Sequence, residues 1–274
     1  MSRMVSSAFL PKLAGVTLAA VMTLGLGGCA TAPTDSAAKA EFEQANDPLE
    51  PLNRAVFAVN MQLDKMFLRP AGIVYRGVLP KPVQTGVNNF LSNLRAPVVF
   101  TNDVLQGDLE RAGNTAGRFA INTTVGVLGV WDAAAHFGIK GHSEDFGQTF
   151  GTWGIGEGFY LVLPLLGPSN PRDGIGLLTE YFVDPFNIWA RSENEDGLIL
   201  ARSLVTGVDF RARNLETLDE LERTSLDYYA AIRSLYRQRR ADEISNGKST
   251  ADQLAPGIST SPEKGKDDKT AEAR

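Results

Sequence analysis

Cysteine is nearly missing from this chain. Cys29 is the only one in 274 residues, which rules out an internal disulfide and any zinc site with two or more cysteine ligands. Histidine is scarce too, with His136 and His142 alone. Excess positive charge is absent: a formal net charge of −5 and a pI near 5.2 leave no dominant basic face to neutralise phosphates, so nucleic acid is not an expected partner. No membrane-spanning run follows Cys29. The uncharged stretch from Phe119 to Trp131 is thirteen residues long, and a helix needs roughly 20 to cross a hydrocarbon core of about 30 Å. Catalytic signatures are missing as well. Gly141-His142-Ser143-Glu144-Asp145 lacks the closing glycine of a nucleophile elbow. No Walker A lysine motif occurs, and Gly154-Ile155-Gly156-Glu157-Gly158 resembles a fragment of a dinucleotide loop with no strand before it. His136 and His142 stand six apart beside carboxylates and could hold a metal; a solvated loop after Gly138 is the simpler reading. The expectation is a chain without catalytic residues, metal or cofactor.

What is present begins with an export signal. Arg3 and Lys12 precede the apolar stretch Leu13 to Leu26, which ends in Gly27-Gly28-Cys29. Cysteine directly after a small pair resembles the lipobox of bacterial lipoproteins, in which the thiol receives a diacylglyceryl group and the new amino terminus is acylated. That resemblance implies lipidation of Cys29, and Ala30 in the following position implies sorting to the outer membrane. Residues 1–28 then form the signal peptide, 29–46 a lipidated tether, 47–245 the folded domain and 246–274 a polar tail without apolar periodicity.

The domain reads as mainly helical. Asp47-Pro48-Leu49-Glu50 has the order of an N-cap acid, a proline at the first helical position and a glutamate able to close a capping box. Val56, Val59, Leu63 and Phe67 then recur at helical spacing, with Asn60 inside their stripe. Asn60 is either a satisfied buried amide or part of the lining of a headgroup path. Val83, Val87, Phe90, Leu91 and Leu94 make a second stripe. Opposite them Gln84, Asn88, Asn89 and Ser92 supply amides and hydroxyls but no charge, which suits a packed helix, a helix at the lipid interface, or one lining an aqueous path. Asp108 and Asp132 are N-cap candidates. Tyr181, Phe182, Phe186, Ile188 and Trp189 cluster around Asp184-Pro185 and fit a membrane interface or a kinked core helix. From Arg211 to Arg240 the charges and the stripe Leu218, Leu221, Tyr228, Ile232 and Leu235 predict one helix with a solvated face.

Phe146 to Asp173, FGQTFGTWGIGEGFYLVLPLLGPSNPRD, keeps no single hydrophobic period. Gly154, Gly156 and Gly158 give backbone freedom just before the apolar run Tyr160 to Leu166, which Pro164 interrupts. The candidate gate therefore comprises Asn60, Gly154, Gly156, Gly158, Tyr160, Leu161, Leu163 and Pro164. An apolar flap hinged on glycines and a well-packed irregular loop are both consistent with this pattern.

This stretch resembles the signature of the MlaA/VacJ family of outer-membrane lipoproteins. Asp47-Pro48-Leu49-Glu50 with Asn53-Arg54, Leu105-Gln106-Gly107-Asp108, Gly117-Arg118-Phe119 with Asn122-Thr123, and Asp184-Pro185 resemble further family motifs in the same order, over about Asp47 to Arg240. The resemblance implies a single ring-like helical domain lying in one membrane leaflet, with a short Gly/Pro-rich hairpin-like segment. It further implies a role in removing mislocalised phospholipids from the outer leaflet, with a trimeric porin and a soluble periplasmic lipid carrier as partners. A periplasm-facing phospholipase and a structural lipoprotein bound to porins are the alternatives. If acyl chains are the membrane address, Cys29→Ser leaves the protein unprocessed or mislocalised, since each buried methylene adds about 0.8 kcal/mol to membrane affinity. Fractionation of cells checks this, and a wild-type distribution of the variant between membrane and soluble fractions would sink the lipobox assignment.

Overall fold

The structure, a computed structural model, describes Asp35 and residues 45–246. Cys29, the signal peptide and nearly all of the tether and the tail lie outside the described residues. The first helix, α1 (Glu50–Leu63), runs without a break through a π-helical turn (Asp64–Leu68) into α2 (Arg69–Val78). The wider turn fits Pro70, which has no N–H for a standard helical bond; at the junction Arg69 N donates to Asp64 O, five residues back. The expected cap at Asp47 is not made. Asp47 is buried, and its carboxylate accepts from Asn53 Nδ2 (2.7 Å), from Arg233 Nη1 (2.8 Å) and from the Tyr229 hydroxyl. For a buried carboxylate, pairing with the half-buried Arg233 outweighs a cap that solvent can replace, so the helix starts at Glu50 with no side-chain cap.

The long helix α3 (Lys81–Leu105), with Pro97 inside it, packs along α4 (Leu109–Thr124). Asp108 caps α4 by accepting from Arg111 N (3.0 Å), and Asp132 caps the short α5 (Ala133–His136) through Ala135 N (3.3 Å), both as expected. Then come α6 (Phe146–Thr152) and a hairpin of β1 (Leu161–Leu163) and β2 (Gly167–Ser169). The hairpin is antiparallel, with Val162 opposite Pro168. Next, α7 (Pro171–Val183) stops at Asp184, which starts α8 (Pro185–Ser192) by accepting from Phe186 N (2.8 Å). The chain ends in α9 (Asp196–Arg213), α10 (Leu215–Thr224) and α11 (Tyr228–Ile244). The single helix expected from Arg211 to Arg240 is thus three pieces. Its second break is fixed by Asp227, which caps α11 through Ala230 N and also pairs with Arg54 (2.6 Å), two bonds that a continuous helix would forfeit.

Packing closes on itself. From α2 it passes to α9, from α9 to α3, from α3 to α6, from α6 to α11, and from α11 through β2 and β1 back to α1. A small apolar core of Tyr160, Val162 and Tyr229, edged by Val56, Phe57 and Tyr236, lies where the hairpin meets α1 and α11.

The ring is fastened by one buried cation. Arg240 on α11 reaches Asp173 Oδ2 with Nε (2.8 Å) and grips both Asp145 oxygens with Nη1 and Nη2 (2.8 and 3.0 Å). Around Asp173 stand Arg172, Asn170 and the Tyr236 hydroxyl. Burial pushes the Asp145 and Asp173 carboxyls up, but bonds and charge from Arg240 more than offset it and hold both below the usual range. Backbone contact between α6 and α7 makes this possible. A Cβ on Gly176 would sit 2.4 Å from Gly147 N, and one on Gly147 would meet Asp173 and Arg240 below 3 Å. Arg240→Met should cost about 3 kcal/mol, because the buried Asp173 and the half-buried Asp145 lose the cation they share, while Arg172 stays beside Asp173. The sign with pH follows from depressed aspartate values. The stabilisation is complete well above the unfolded value of 3.8 and is lost as pH falls through the lower folded values, so the wild type weakens on acidification more than the variant does. Denaturant unfolding at several pH values checks both the size and the slope.

Candidate functional site

Burial is inverted relative to a water-soluble domain. Among the described residues twenty buried side chains are polar or charged against twelve hydrophobic ones, while large hydrophobics such as Val78, Val127, Leu128, Leu165, Leu166 and Phe182 are exposed. Helix α3 shows the inversion directly. Gln84 and Asn93 on its amide face are buried, whereas Val83 and Phe90 on its apolar stripe are exposed. Tyr181, Phe182, Ile188 and Trp189 on α7 and α8 also face outward. An apolar exterior of this extent suits lipid contact, and in lipid every polar group needs a partner inside the protein. No helix among the described residues is long and apolar enough to cross a membrane.

Asparagine amides supply many of those partners. On α1, Asn53 donates to Tyr160 O (3.0 Å) and accepts from Val162 N (2.9 Å). One heptad on, Asn60 donates to Leu163 O (2.9 Å) and accepts from Leu165 N (2.8 Å). Two side chains at the spacing of two helical turns thus replace a third strand along β1. Asn60 is a satisfied, half-buried amide, and it holds the turn of the hairpin. Beyond it Pro164, Leu165 and Leu166 form an exposed apolar tip, with Leu165 at φ +66°. Leu161 and Leu163 are half-buried, and Tyr160 is 3% exposed in the apolar core, so it anchors the hairpin rather than joining its exposed tip. Burial pushes the Tyr160 hydroxyl well above its usual range.

On α3 the same device repeats. Asn93 Nδ2 donates to Leu128 O (3.3 Å) and Thr123 Oγ1 (3.0 Å), and Asn89 Nδ2 to Val130 O (3.2 Å). They brace the loop after α4, where Val127, Leu128 and Gly129 all take positive φ. A left-handed β-branched residue such as Val127 is strained, and only glycine fits at 129, where a Cβ would lie 2.3 Å from that of Asn93. Between α3, α4 and residues 141–143 lies a cavity of about 460 Å³, lined by Asn88, Asn89, Ser92, Asn93, Thr115, Arg118, Phe119, Asp132 and His142 among others. Burial pushes the Asp132 carboxyl up, but Arg118 (2.7 Å) and Asn122 (2.9 Å) outweigh it and hold it low.

His142 lies on a loop after Gly138 whose neighbours Lys140, Gly141 and Ser143 are exposed, as expected, but its own side chain turns inward. Its Nε2 lies 2.8 Å from Asp103 Oδ1 and 3.4 Å from Thr115 Oγ1. Asp103, His142 and Glu144 bring ligand atoms within 4.8 Å of one another. Arg111 stands against them, donating to Glu144 at 2.5 Å, so a guanidinium supplies the positive charge that these carboxylates call for. Burial pushes the Glu144 carboxyl up against the opposing pull of Gln106 and Arg111.

The gate glycines divide in two. Gly154 and Gly158 have φ +86° and +74°, and a Cβ on Gly158 would touch the Pro171 ring at 3.1 Å. Gly156 has neither a positive φ nor an atom within 4 Å of a Cβ. Alanine at Gly154 or Gly158 should therefore lower stability by about 1–2 kcal/mol, while Gly156→Ala changes it by no more than about 0.5 kcal/mol. Thermal melts of the three variants distinguish this ranking from equal effects.

Residues 45–243 match the model of the family described as MlaA lipoprotein. Two curated relatives, each called intermembrane phospholipid transport system lipoprotein MlaA, come from Shigella flexneri and Escherichia coli strain K12. Each is 34% identical, over 234 and 232 residues respectively, covering 83% of this chain and 87% of the relative. A Rickettsia bellii protein of unassigned function is 34% identical over 199 residues, 72% of this chain and 76% of its own. A solved structure reported under "Structural basis for maintenance of bacterial outer membrane lipid asymmetry" superposes with a TM-score of 0.64 at 32% identity, covering 72% of this chain and 98% of that one. With the closed helical packing and the family match over most of its length, this chain belongs to the MlaA lipoprotein family.

Proposed function

We propose that this chain is an outer-membrane lipoprotein, held at the periplasmic face through acyl chains on Cys29, that removes mislocalised phospholipids from the outer leaflet and passes them to a soluble periplasmic carrier. A trimeric porin is the proposed support in the membrane. The observation that carries the reading is the inverted burial: polar groups gathered inside a closed circuit of helices whose outside is apolar. Taking a phospholipid with about thirty methylenes into water would cost on the order of 25 kcal/mol, so a route must cover the tails while the headgroup stays solvated. A body with an apolar exterior and a polar interior offers both surfaces.

The gate in this reading is the hairpin. Tyr160 anchors it, Leu161 and Leu163 line its base, Asn60 latches its turn, and the tip at Pro164 meets lipid. Gly154 and Gly158 set its approach, and Gly156, which the backbone does not require, supplies freedom. A phospholipase fits less well. His142 turns one nitrogen, Nε2, to both Asp103 and Thr115, whereas a catalytic base needs an acid on one nitrogen and a nucleophile on the other. Mass analysis of lipids released from the purified protein in vesicles decides: intact phospholipids support transfer, lysolipids an enzyme, and none a scaffold. In the same assay Gly156→Ala should slow release at unchanged melting temperature; unchanged release would remove the hinge.

A further inference from the structure

The polar cavity between α3 and α4 presents three amide oxygens that no protein donor among the described residues meets. The amide nitrogens of Asn88 and Asn89 each donate one bond, to Asp209 Oδ2 (3.2 Å) and Val130 O (3.2 Å), and that of Asn93 donates two, to Leu128 O (3.3 Å) and Thr123 Oγ1 (3.0 Å). The two backbone carbonyls can only accept, which fixes the orientation of the Asn89 and Asn93 amides, and Asn88 turns its nitrogen to the Asp209 carboxylate, which Arg213 also pairs. All three amide oxygens are thereby left over. No donor among the described residues meets them, although Asn93 is 8% exposed and all three residues line the cavity. The one arginine there is committed: Arg118 Nη1 donates to Ile139 O and Nη2 to Asp132 Oδ2. Asp132 keeps its negative charge, for the reasons given above. A ligand entering this space meets three amide oxygens with no protein donor beside a carboxylate already paired with Arg118, a setting that favours a hydrogen-bond donor.

One bank of the cavity is apolar. Phe119 lines it, and the braced loop carrying Val127 and Leu128, both exposed, is tied to the same Asn89 and Asn93 that line the floor. Polar floor and apolar rim are therefore one rigid unit. At about 460 Å³ the cavity is in the range of small-ligand sites.

We infer that this cavity is a headgroup site for phospholipids whose headgroup ends in hydrogen-bond donors, a primary ammonium or glycerol hydroxyls, with the phosphate at the mouth and the tails against the loop at Val127 and Leu128. It rests on the transport reading above, and deepens it by giving the pathway a headgroup preference. A trimethylated ammonium carries charge but donates no hydrogen bond, so the three asparagine oxygens would be desolvated without compensation.

The test uses the purified full-length lipoprotein in detergent and three dihexanoyl phospholipids with identical tails, bearing ethanolamine, glycerol or choline. Affinities are read by native mass spectrometry and calorimetry. The ethanolamine and glycerol lipids should bind about tenfold more tightly than the choline lipid, the factor one net hydrogen bond supplies. Asn88→Leu should erase most of that preference, and Ser92→Ala, at an exposed position on the lining, should reduce it in a protein whose melting temperature is unchanged. Equal affinity for the three lipids, or a preference that survives both variants, overturns the site. Free phosphoethanolamine binding as tightly as its lipid would make this a site for soluble amines and overturn the lipid assignment. If all three lipids are released from vesicles intact and at equal rates, transport stands and the headgroup site falls; if none binds and none is released, both fall.

Discussion

Where a protein's surface is apolar, the polar groups behind it have no solvent on that side to turn to, so most of them must find partners within the fold. That constraint accounts for the residues that would look misplaced in a soluble domain. Arg240 is buried because it neutralises Asp145 and Asp173 where three segments meet, and Asp47 is buried because Arg233, Tyr229 and Asn53 surround it. The short hairpin and the left-handed loop after α4 are irregular pieces whose backbone groups are met by side chains. Each is served by a pair of asparagines on a neighbouring helix, Asn53 and Asn60 for one, Asn89 and Asn93 for the other.

Asparagine suits this task for a reason of inventory. Its amide carries both donor and acceptor on a short stem, so it can replace a peptide group on an adjacent strand without bringing charge into a low-dielectric setting. Where charge is present, it is cancelled at close range: Arg111 with Glu144, Arg202 with Asp184, Arg211 with Asp64. Such pairs add little net stability over a hydrophobic filling, yet removing one partner is costly, so they specify a single arrangement of the ring. Freedom is left to few places. Gly156, with open space around it, contrasts with Gly147 and Gly176, where α6 and α7 touch backbone to backbone.

Much of the helical frame was legible in the sequence, because periodicity and caps are local. Asp108 and Asp132 cap the helices that their positions announced. What failed was what depends on distant partners. Asp47 has the local signature of a cap, but Arg233 and Tyr229, nearly two hundred residues on, claim it. The stripe Val83, Phe90 and their neighbours gave α3 its period without its sign, since which face is inward depends on whether water or lipid lies outside. The scarcity of charge opposite that stripe was the available signal. His142 lies on the loop that the glycine before it suggested, but the inward turn of its ring was not legible because its partners Asp103 and Thr115 come from two helices. For the candidate gate, the glycines and the apolar run marked the segment, while the division between the anchor Tyr160 and the free tip at Leu165 needed the coordinates.

The central claim is that the exposed hydrophobic side chains face lipid while the charged helix α10 faces water. Spin labels at Leu128, Phe182 and Glu220, introduced one at a time into the acylated protein in bilayers, measure this through collisions with dissolved oxygen and with a water-soluble nickel chelate. Leu128 and Phe182 should favour oxygen strongly and Glu220 the chelate. Equal access of the chelate to all three positions would place the apolar surface in water and contradict the account.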